Sequence, residues 1–249
     1  MKTMSRLLPS AVVLAALAAC GGGSDVLNIG GVWKGTWQPV SPFTDEPFQG
    51  VVEDGGPAFF YDHDGFLFVV PPIVGGKLDS TSTLYPPYSF VFTGGDVSLP
   101  AGIKGDVSSG QMSGKVFVNG AFADFQLKPT TPTTGQVDIV AGTWSGNYIG
   151  GAIPSNVAWT VSAAGDVIGH DAYGCAITGK LTLLDAGKDL FSVAVHSTGA
   201  SQICAGSMTG LAYKSSHDDL DLFGHAAGTY YYVTAHSDKG AFVAEFQAQ

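Results

Sequence analysis

Arginine is almost absent from this 249-residue chain, and positive charge is scarce throughout. Arg6 is the single arginine, and eleven Lys and Arg face twenty-one Asp and Glu, which leaves a net charge of −10. Binding to nucleic acid or to anionic lipid headgroups needs clustered basic side chains. The composition therefore argues against both kinds of partner, whereas a cationic partner is compatible with it.

Motifs for catalysis and for cofactor binding are missing as well. The chain has no Gly-x-Ser-x-Gly, no His-Glu-x-x-His, no Cys-x-x-Cys and no phosphate-binding Gly-Lys-Ser/Thr sequence. Five of the six histidines lie in the second half, but their spacing is not that of metal ligands, and we interpret them as solvated side chains on loops. We therefore assign no catalytic residue, no metal and no cofactor.

Helical spacing of apolar residues is rare after residue 20, whereas short alternating apolar and polar runs are common. With 35 glycines in the chain, many of them between such runs, this pattern is typical of an all-β protein with many short strands. In the second half the alternation predicts strands at 143–149, 157–162, 166–171, 176–184, 190–196, 207–214, 219–226, 229–236 and 241–247.

The amino terminus has the order of residues found in a secretory signal. Lys2 and Arg6 precede an apolar segment of thirteen residues, 7–19, which ends in small side chains. Such a segment is too short to span a bilayer as a helix. We therefore predict that residues 1–19 are a signal peptide.

The end of this segment, Leu17-Ala18-Ala19-Cys20, resembles the lipobox of bacterial lipoproteins. The resemblance implies cleavage before Cys20, lipidation of Cys20 with palmitate-type acyl chains, and a membrane anchor followed by the Gly-rich tether 20–27. Gly21 rather than Asp follows the cysteine, which by the sorting rule of such lipoproteins implies the outer membrane. The alternative is an ordinary signal peptide with a coincidental cysteine.

The chain has three cysteines, Cys20, Cys175 and Cys204. An odd cysteine in a secreted protein needs an explanation, and lipidation of Cys20 supplies one. An oxidising envelope then favours a disulfide between Cys175 and Cys204. Two buried free thiols are the alternative.

An internal repeat divides the chain into two domains. The sequence 31–37 and the sequence 142–148 both read Gly-x-Trp-x-Gly-x-aromatic, 111 residues apart. Near the far ends, Ala-Asp-Phe-Gln at 123–126 corresponds to Ala-Glu-Phe-Gln at 244–247. A Thr- and Pro-rich stretch lies between the halves and is typical of a linker. We predict domains at 28–128 and 141–249, joined by a linker at 129–140.

Two tandem antiparallel up-and-down β-barrels, each of about eight strands, are the predicted fold. In a strand, the two glycines and the two aromatic residues of the repeated motif point to one face, which suits the coiled first strand of a small closed barrel. The Gly-x-Trp opening resembles that of lipocalins and other calycin-type barrels. The chain as a whole is similar to Gly-rich bacterial lipoproteins with tandem barrels of this kind, which implies a fold and a location but no activity.

The sequence Asp62-His63-Asp64-Gly65 resembles the start of an EF-hand calcium loop. The twelfth position of that loop would be Ile73, where a calcium loop has Glu. We therefore predict a tight hairpin turn at 62–65.

The segments that flank this turn, 58–61 and 66–74, are apolar on both faces of a strand and must be covered on both. The cover is either the other domain or a long loop, or else the outward face binds a partner protein or an apolar ligand. The candidate residues for such a site are Phe59, Phe60, Tyr61, Phe66, Phe68, Tyr85 and Tyr88.

Two functions remain open at this level. The first is a non-enzymatic, envelope-anchored binding module for a protein, a glycan or an apolar ligand, a class that includes inhibitors of envelope hydrolases. The second is a hydrolase with an Asp/Glu pair on a barrel rim, which would require two carboxylates about 5–10 Å apart in a cleft.

Overall fold

A computed structural model describes residues 28–38, 45–130, 139–150, 156–200, 203–204, 206–216 and 228–249. The predicted signal peptide, Cys20, the whole tether and residues 131–138 of the predicted linker lie outside these residues. Within the described residues, the structure has no helix long and apolar enough to cross a membrane.

The first domain is a closed antiparallel barrel in which each strand pairs with the next and the last pairs with the first. Its eight strands are β1 Gly31–Gln38, β2 Glu46–Val52, β3 Ala58–Asp62, β4 Leu67–Val70, β5 Lys77–Tyr85, β6 Leu99–Val107, β7 Met112–Val118 and β8 Ala121–Pro129.

The second domain is another closed antiparallel barrel of eight strands, so the predicted all-β fold of two tandem up-and-down barrels is confirmed. Its strands are β9 Gly142–Tyr148, β10 Asn156–Val161, β11 Asp166–Asp171, β12 Ala176–Asp185, β13 Leu190–Thr198, β14 Gly206–Ser215, β15 Thr229–Ser237 and β16 Gly240–Ala248. The predicted strand at 219–226 lies outside the described residues.

The described ends of the predicted linker 129–140 contact the two barrels. Pro129 pairs with Trp33, and the backbone N–H of Thr130 donates to the carbonyl of Val32 over 2.8 Å. At the other end, Val140 donates to the hydroxyl of Tyr231. Pro129 is thus the last residue of β8, and Val140 is hydrogen-bonded to the second barrel ahead of β9.

The first tryptophan of the repeated motif makes the same hydrogen bond in both barrels. The indole N–H of Trp33 donates to the carbonyl of Ile29, and that of Trp144 donates to the carbonyl of Val140, each over 2.8 Å. Each ring is buried in its own barrel. The motif thus closes one end of each barrel with a tryptophan tied to the chain that enters it.

The second glycine of each motif is required by close backbone approach. A Cβ atom on Gly35 would lie 1.9 Å from the carbonyl oxygen of Gln126, and one on Gly146 would lie 2.2 Å from that of Glu245. These carbonyls belong to the strand that closes each barrel. Any side chain at either position would push the first and last strands apart.

Aromatic side chains fill both barrel interiors. In the first barrel the ring of Phe48 lies 5.9 Å from that of Phe60 and 6.0 Å from that of Phe68. In the second barrel the ring of Trp144 stacks on that of Tyr231 at 3.8 Å. These rings belong to two separate apolar cores, one for each barrel.

A third apolar cluster lies between the barrels. It contains outward-facing residues of the hairpin that the sequence marks as apolar on both faces, Phe59, Tyr61 and Leu67, together with outward residues of β14 to β16 such as Tyr213. The second barrel therefore covers the outer face of this hairpin. The side-chain oxygen of Gln49 accepts hydrogen bonds from the hydroxyls of Tyr61 and Tyr213, over 3.1 and 2.8 Å, so these polar groups are paired within the interface.

The tip of the hairpin also contacts the second barrel through its backbone. The N–H of Gly65 donates to the carbonyl of Asp62, as expected of the predicted tight turn. A Cβ atom on Gly65 would lie 2.1 Å from the carbonyl oxygen of Ile149, and Gly65 and Gly150 both have positive φ angles, +82 and +63 degrees. Glycine at these positions lets the two domains meet backbone to backbone.

Candidate functional site

The connection between β5 and β6, residues 86–98, reaches from the first barrel to one end of the second. Pro86 and Pro87 prevent the chain from continuing as a central strand. The ring of Tyr88 then enters the second barrel, 4.0 Å from the ring of Tyr148 and 6.2 Å from that of Phe242. A side chain of the first domain thus completes the core of the second.

The carboxylate of Asp171 fixes this tyrosine. Its Oδ2 accepts hydrogen bonds from the hydroxyls of Tyr88 and Tyr148, over 3.0 and 3.2 Å. Its Oδ1 accepts from the backbone N–H groups of Tyr173 and Cys175, over 3.0 and 2.9 Å. Burial, and secondarily the nearby charge of Asp171, raises the pKa of Tyr88 above its ordinary value. Both phenols remain protonated donors at neutral pH.

The disulfide between Cys175 and Cys204 lies beside Tyr88 and confirms the predicted pairing; the two Cα atoms are 5.5 Å apart. The hydroxyl of Tyr88 lies 3.7 Å from the sulfur of Cys175 and 3.5 Å from the carbonyl oxygen of Ile203. The disulfide therefore holds the chain around Ile203 against the incoming loop.

A groove of about 300 Å³ opens where this loop meets the second barrel. One wall is the 86–97 segment, and the other is Ile203 with the turn between β15 and β16. Phe90 and Val91 are 50% and 56% exposed, so two apolar side chains face solvent in one stretch of the wall. The described lining residues are Pro86, Pro87, Tyr88, Ser89, Phe90, Val91, Gly95, Val97, Ile203, Lys239, Gly240 and Ala241.

The seven residues predicted from the sequence do not form one open surface. Phe60 and Phe68 point into the first barrel, and Phe66 is half-buried against Phe92. Phe59, Tyr61 and Tyr85 lie between the barrels, and Tyr88 fills the end of the second barrel. Only Tyr88 lines the groove.

Sequence reasoning did not identify Phe90, Val91, Ile203 and Lys239 as site residues. A partial signal was present, because the proline- and aromatic-rich stretch at 85–88 leads directly into the groove wall. Nothing in the sequence links this stretch to Ile203 or Lys239, which come from two loops of the other domain.

Carboxyl groups cluster at the end of the first barrel. One ligand atom from each of Glu46, His63 and Asp64 lies within 4.8 Å of the others. Asp62 is 2% exposed, and its burial raises its pKa to about 7, with Asp64 and Glu46 adding to the shift. His63 and Asp64 are exposed, and such clusters are common on acidic surfaces, so we assign no metal to these residues.

Two of the described histidines, His170 and His196, are exposed as expected, but none of the three described histidines of the second half lies on a loop. His170, His196 and His236 lie on strands rather than loops. The ring of His236 is half-buried, 5.7 Å from the rings of Phe59 and Tyr85, and desolvation lowers its pKa. The other two of the five, at 217 and 225, lie outside the described residues.

A second depression, of about 400 Å³, lies on the outer face of β9 to β11. Its described lining consists of small and polar residues such as Ser145, Asn147 and His170, and includes no Trp, Tyr or Phe. It therefore offers less apolar surface to a ligand than the groove does.

Comparisons with known proteins give no match: the chain matches no protein-family model, no curated protein and no solved structure. The functional argument therefore rests on the geometry of the groove and on the sequence.

Proposed function

We propose that this protein is an envelope-anchored lipoprotein that binds an apolar ligand, without chemical conversion, in the groove between its two barrels. The anchor is supported by the lipobox-like sequence that ends at Cys20. The binding function is supported by the groove, which is the observation that carries the proposal.

The groove has the properties of a small-molecule site. Its volume is at the lower end of the range of about 300–1,000 Å³ that is usual for such sites. Phe90 and Val91 leave apolar surface exposed to water, and a ligand that covers this surface gains roughly 25 cal/mol for each Å² buried.

The walls of the groove are also held in place before any ligand binds. Tyr88 is bonded to Asp171 and packed on Tyr148, and the disulfide fixes the segment next to Ile203. A preformed site avoids much of the ordering cost of binding. An apolar small molecule fits this geometry better than a glycan does, because the described residues of the groove supply few hydrogen-bonding side chains.

Binding of the neutral dye N-phenyl-1-naphthylamine to the whole mature chain tests the proposal. Phe90→Ser should weaken binding about tenfold, because it removes the largest exposed apolar group of the wall. Phe122→Ser is the matched control, since Phe122 is equally exposed, at 50%, but lies on β8 and does not line the groove. The proposal would be contradicted by equal dye affinity in both variants, or by no dye binding to the parent protein. A protein partner whose binding does not depend on Phe90 would favour a protein-binding module instead.

The anchor has its own test. Labelling with palmitate in a bacterial host should mark the parent protein and should be lost in Cys20→Ser. Labelling that persists in this variant would exclude lipidation at Cys20.

A hydrolase is the second candidate, and the carboxyl cluster of the first barrel is the observation that favours it. Asp62, with a pKa of about 7, could serve as a general acid beside the carboxylates of Asp64 and Glu46. Hydrolysis of a cell-wall preparation that is lost in both Asp62→Asn and Glu46→Gln would support this function. Equal activity in the parent and in both variants would exclude it.

A further inference from the structure

The groove contains one charged side chain among its described lining residues, that of Lys239, and no carboxylate. This is unusual in a chain with a net charge of −10. Most other described lysines have a carboxylate partner within 4.0 Å; such pairs join Lys77 to Asp106, Lys104 to Asp79, Lys115 to Asp124, Lys180 to Asp166 and Lys188 to Asp54. No carboxylate of the described residues lies within that distance of Lys239.

The backbone that carries Lys239 is fixed against both barrels. The N–H of Lys239 donates to the hydroxyl of Ser237 over 3.1 Å, within the turn between β15 and β16. The hydroxyl of Tyr85, from the first barrel, donates to the carbonyl of Ser237 over 2.9 Å. Lys239 therefore lies on an ordered turn, as an exposed residue at the edge of an apolar groove.

We infer that the ligand of the groove is a small soluble amphiphile with an apolar body and one anionic group, and that Lys239 binds the anionic group. An apolar wall beside a single ammonium is complementary to a molecule with these two parts. The anion can be a carboxylate, a sulfonate or a phosphate, because an ammonium binds each as a point charge. A free molecule fits better than a lipid headgroup in a bilayer, since the acidic surface of the protein is repelled by an anionic membrane.

This inference rests on the proposed function and adds the charge of the ligand to it. Two dyes that share the phenylaminonaphthalene body separate the two claims. N-phenyl-1-naphthylamine is neutral, whereas 1-anilinonaphthalene-8-sulfonate carries an anion. Both are titrated by fluorescence into the whole mature chain and into Lys239→Gln, Lys239→Arg and Lys128→Gln.

Lys239→Gln should weaken binding of the sulfonate dye about two- to fivefold and leave the neutral dye unchanged, a range set by an ion pair with an exposed lysine. Lys239→Arg should retain the affinity of the parent. Lys128 is the control lysine: it is exposed, lies on β8, has no carboxylate partner among the described residues and does not line the groove. About 0.5 M salt should weaken binding of the sulfonate dye to the parent more than binding to Lys239→Gln.

The outcomes distinguish the two claims. If the neutral dye binds in a Phe90-dependent manner but the sulfonate dye is indifferent to Lys239, the inference is wrong and the proposed function stands. If neither dye depends on Phe90, the proposed function fails and the inference falls with it. If the protein sediments with anionic vesicles in a Lys239-dependent manner, the anion belongs to a membrane surface and the inference is overturned.

Discussion

The third strand of each barrel ends on a buried aspartate that is followed by the same backbone turn. The two aspartates differ in the hydrogen-bond donors that contact their carboxyl groups. In the first barrel, Asp62 precedes Gly65, and its Oδ1 accepts from the backbone N–H of Phe66 over 3.0 Å. In the second, Asp171 precedes Gly174, and its Oδ1 accepts from the N–H of Cys175 over 2.9 Å. The backbone of the turn is repeated, so the two aspartates differ through the side chains around them, which in the first barrel include Asp64 of the turn itself.

The second aspartate has two phenol hydroxyl donors that the first lacks. Asp171 accepts hydrogen bonds from Tyr148 and from Tyr88, and the latter arrives from the other domain. Asp62 accepts only backbone hydrogen bonds among the described residues, and burial raises its pKa to about 7. At the position of Tyr148 in the repeated motif, the first barrel has Trp37, whose indole N–H is buried without a partner in the described structure. Tyr88 of the first domain thus donates a hydrogen bond to the buried Asp171 of the second domain.

Truncation of Tyr88 should have the largest effect on the stability of the second barrel. Tyr88→Ala removes a buried ring from the second core and should lower the free energy of unfolding by about 3–5 kcal/mol. Tyr88→Phe keeps the ring, loses the bond to Asp171 and should cost only about 1–2 kcal/mol. Urea denaturation followed by tryptophan fluorescence measures both, and equal costs for the two variants would show that the hydroxyl rather than the ring matters.

The raised pKa of Asp62 predicts a pH dependence with a definite sign. The folded protein holds the proton up to about pH 7, whereas the unfolded chain releases it near 3.8. Stability from this group is therefore complete below pH 3.8 and is lost as pH rises toward 7, by at most roughly 4 kcal/mol.

Asp62→Asn isolates this contribution. The lowered pKa of His236 gives an opposite slope, so the parent and the variant must be compared at each pH. The stability of Asp62→Asn relative to the parent should increase between pH 4 and pH 7.5. A constant difference across this range would show that Asp62 is ionised throughout.

Removal of the disulfide should have a somewhat smaller effect. Replacement of Cys175 and Cys204 by Ser opens a loop of 29 residues and should cost about 3.6 kcal/mol by the chain-entropy relation. The neutral dye should also bind more weakly to this double variant, because the segment at Ile203 is no longer held against the groove. Unchanged dye affinity would show that the groove does not depend on the disulfide.

Loss of the second phenol should have the smallest effect. Tyr148→Phe leaves Asp171 with the hydroxyl of Tyr88 and two backbone donors, so we expect a cost of about 1 kcal/mol. The same denaturation assay measures it. A cost above that of Tyr88→Ala would reverse the order of importance proposed for the two tyrosines.

Much of the fold could be predicted because it is encoded in local patterns. The repeated Gly-x-Trp motif and the alternation along the strands predict two barrels, and the compartment predicts the disulfide. The sequence also contains a repeat that pattern reasoning overlooked: Asp-x-x-Gly at 62–65 and again at 171–174, 109 residues apart. A comparison of the two halves at this level could have identified both buried aspartates.

The groove could not be predicted in the same way. Its walls come from segments far apart in the chain, with Phe90 in the first domain and Ile203 and Lys239 in the second. The cover of the apolar hairpin could not be predicted from the sequence either. The alternation along a strand indicates that either Phe59 or Phe60 must point outward, but it does not identify the residues that cover the outward ring. Only packing of the second barrel on Phe59 decides this.

A crystal structure of the mature chain with N-phenyl-1-naphthylamine bound would test the central claim most directly. The account predicts the dye in the groove, with its rings against Phe90 and Ile203 and with Tyr88 still bonded to Asp171. Dye found inside either barrel, or at a site that involves neither Phe90 nor Ile203, would contradict it.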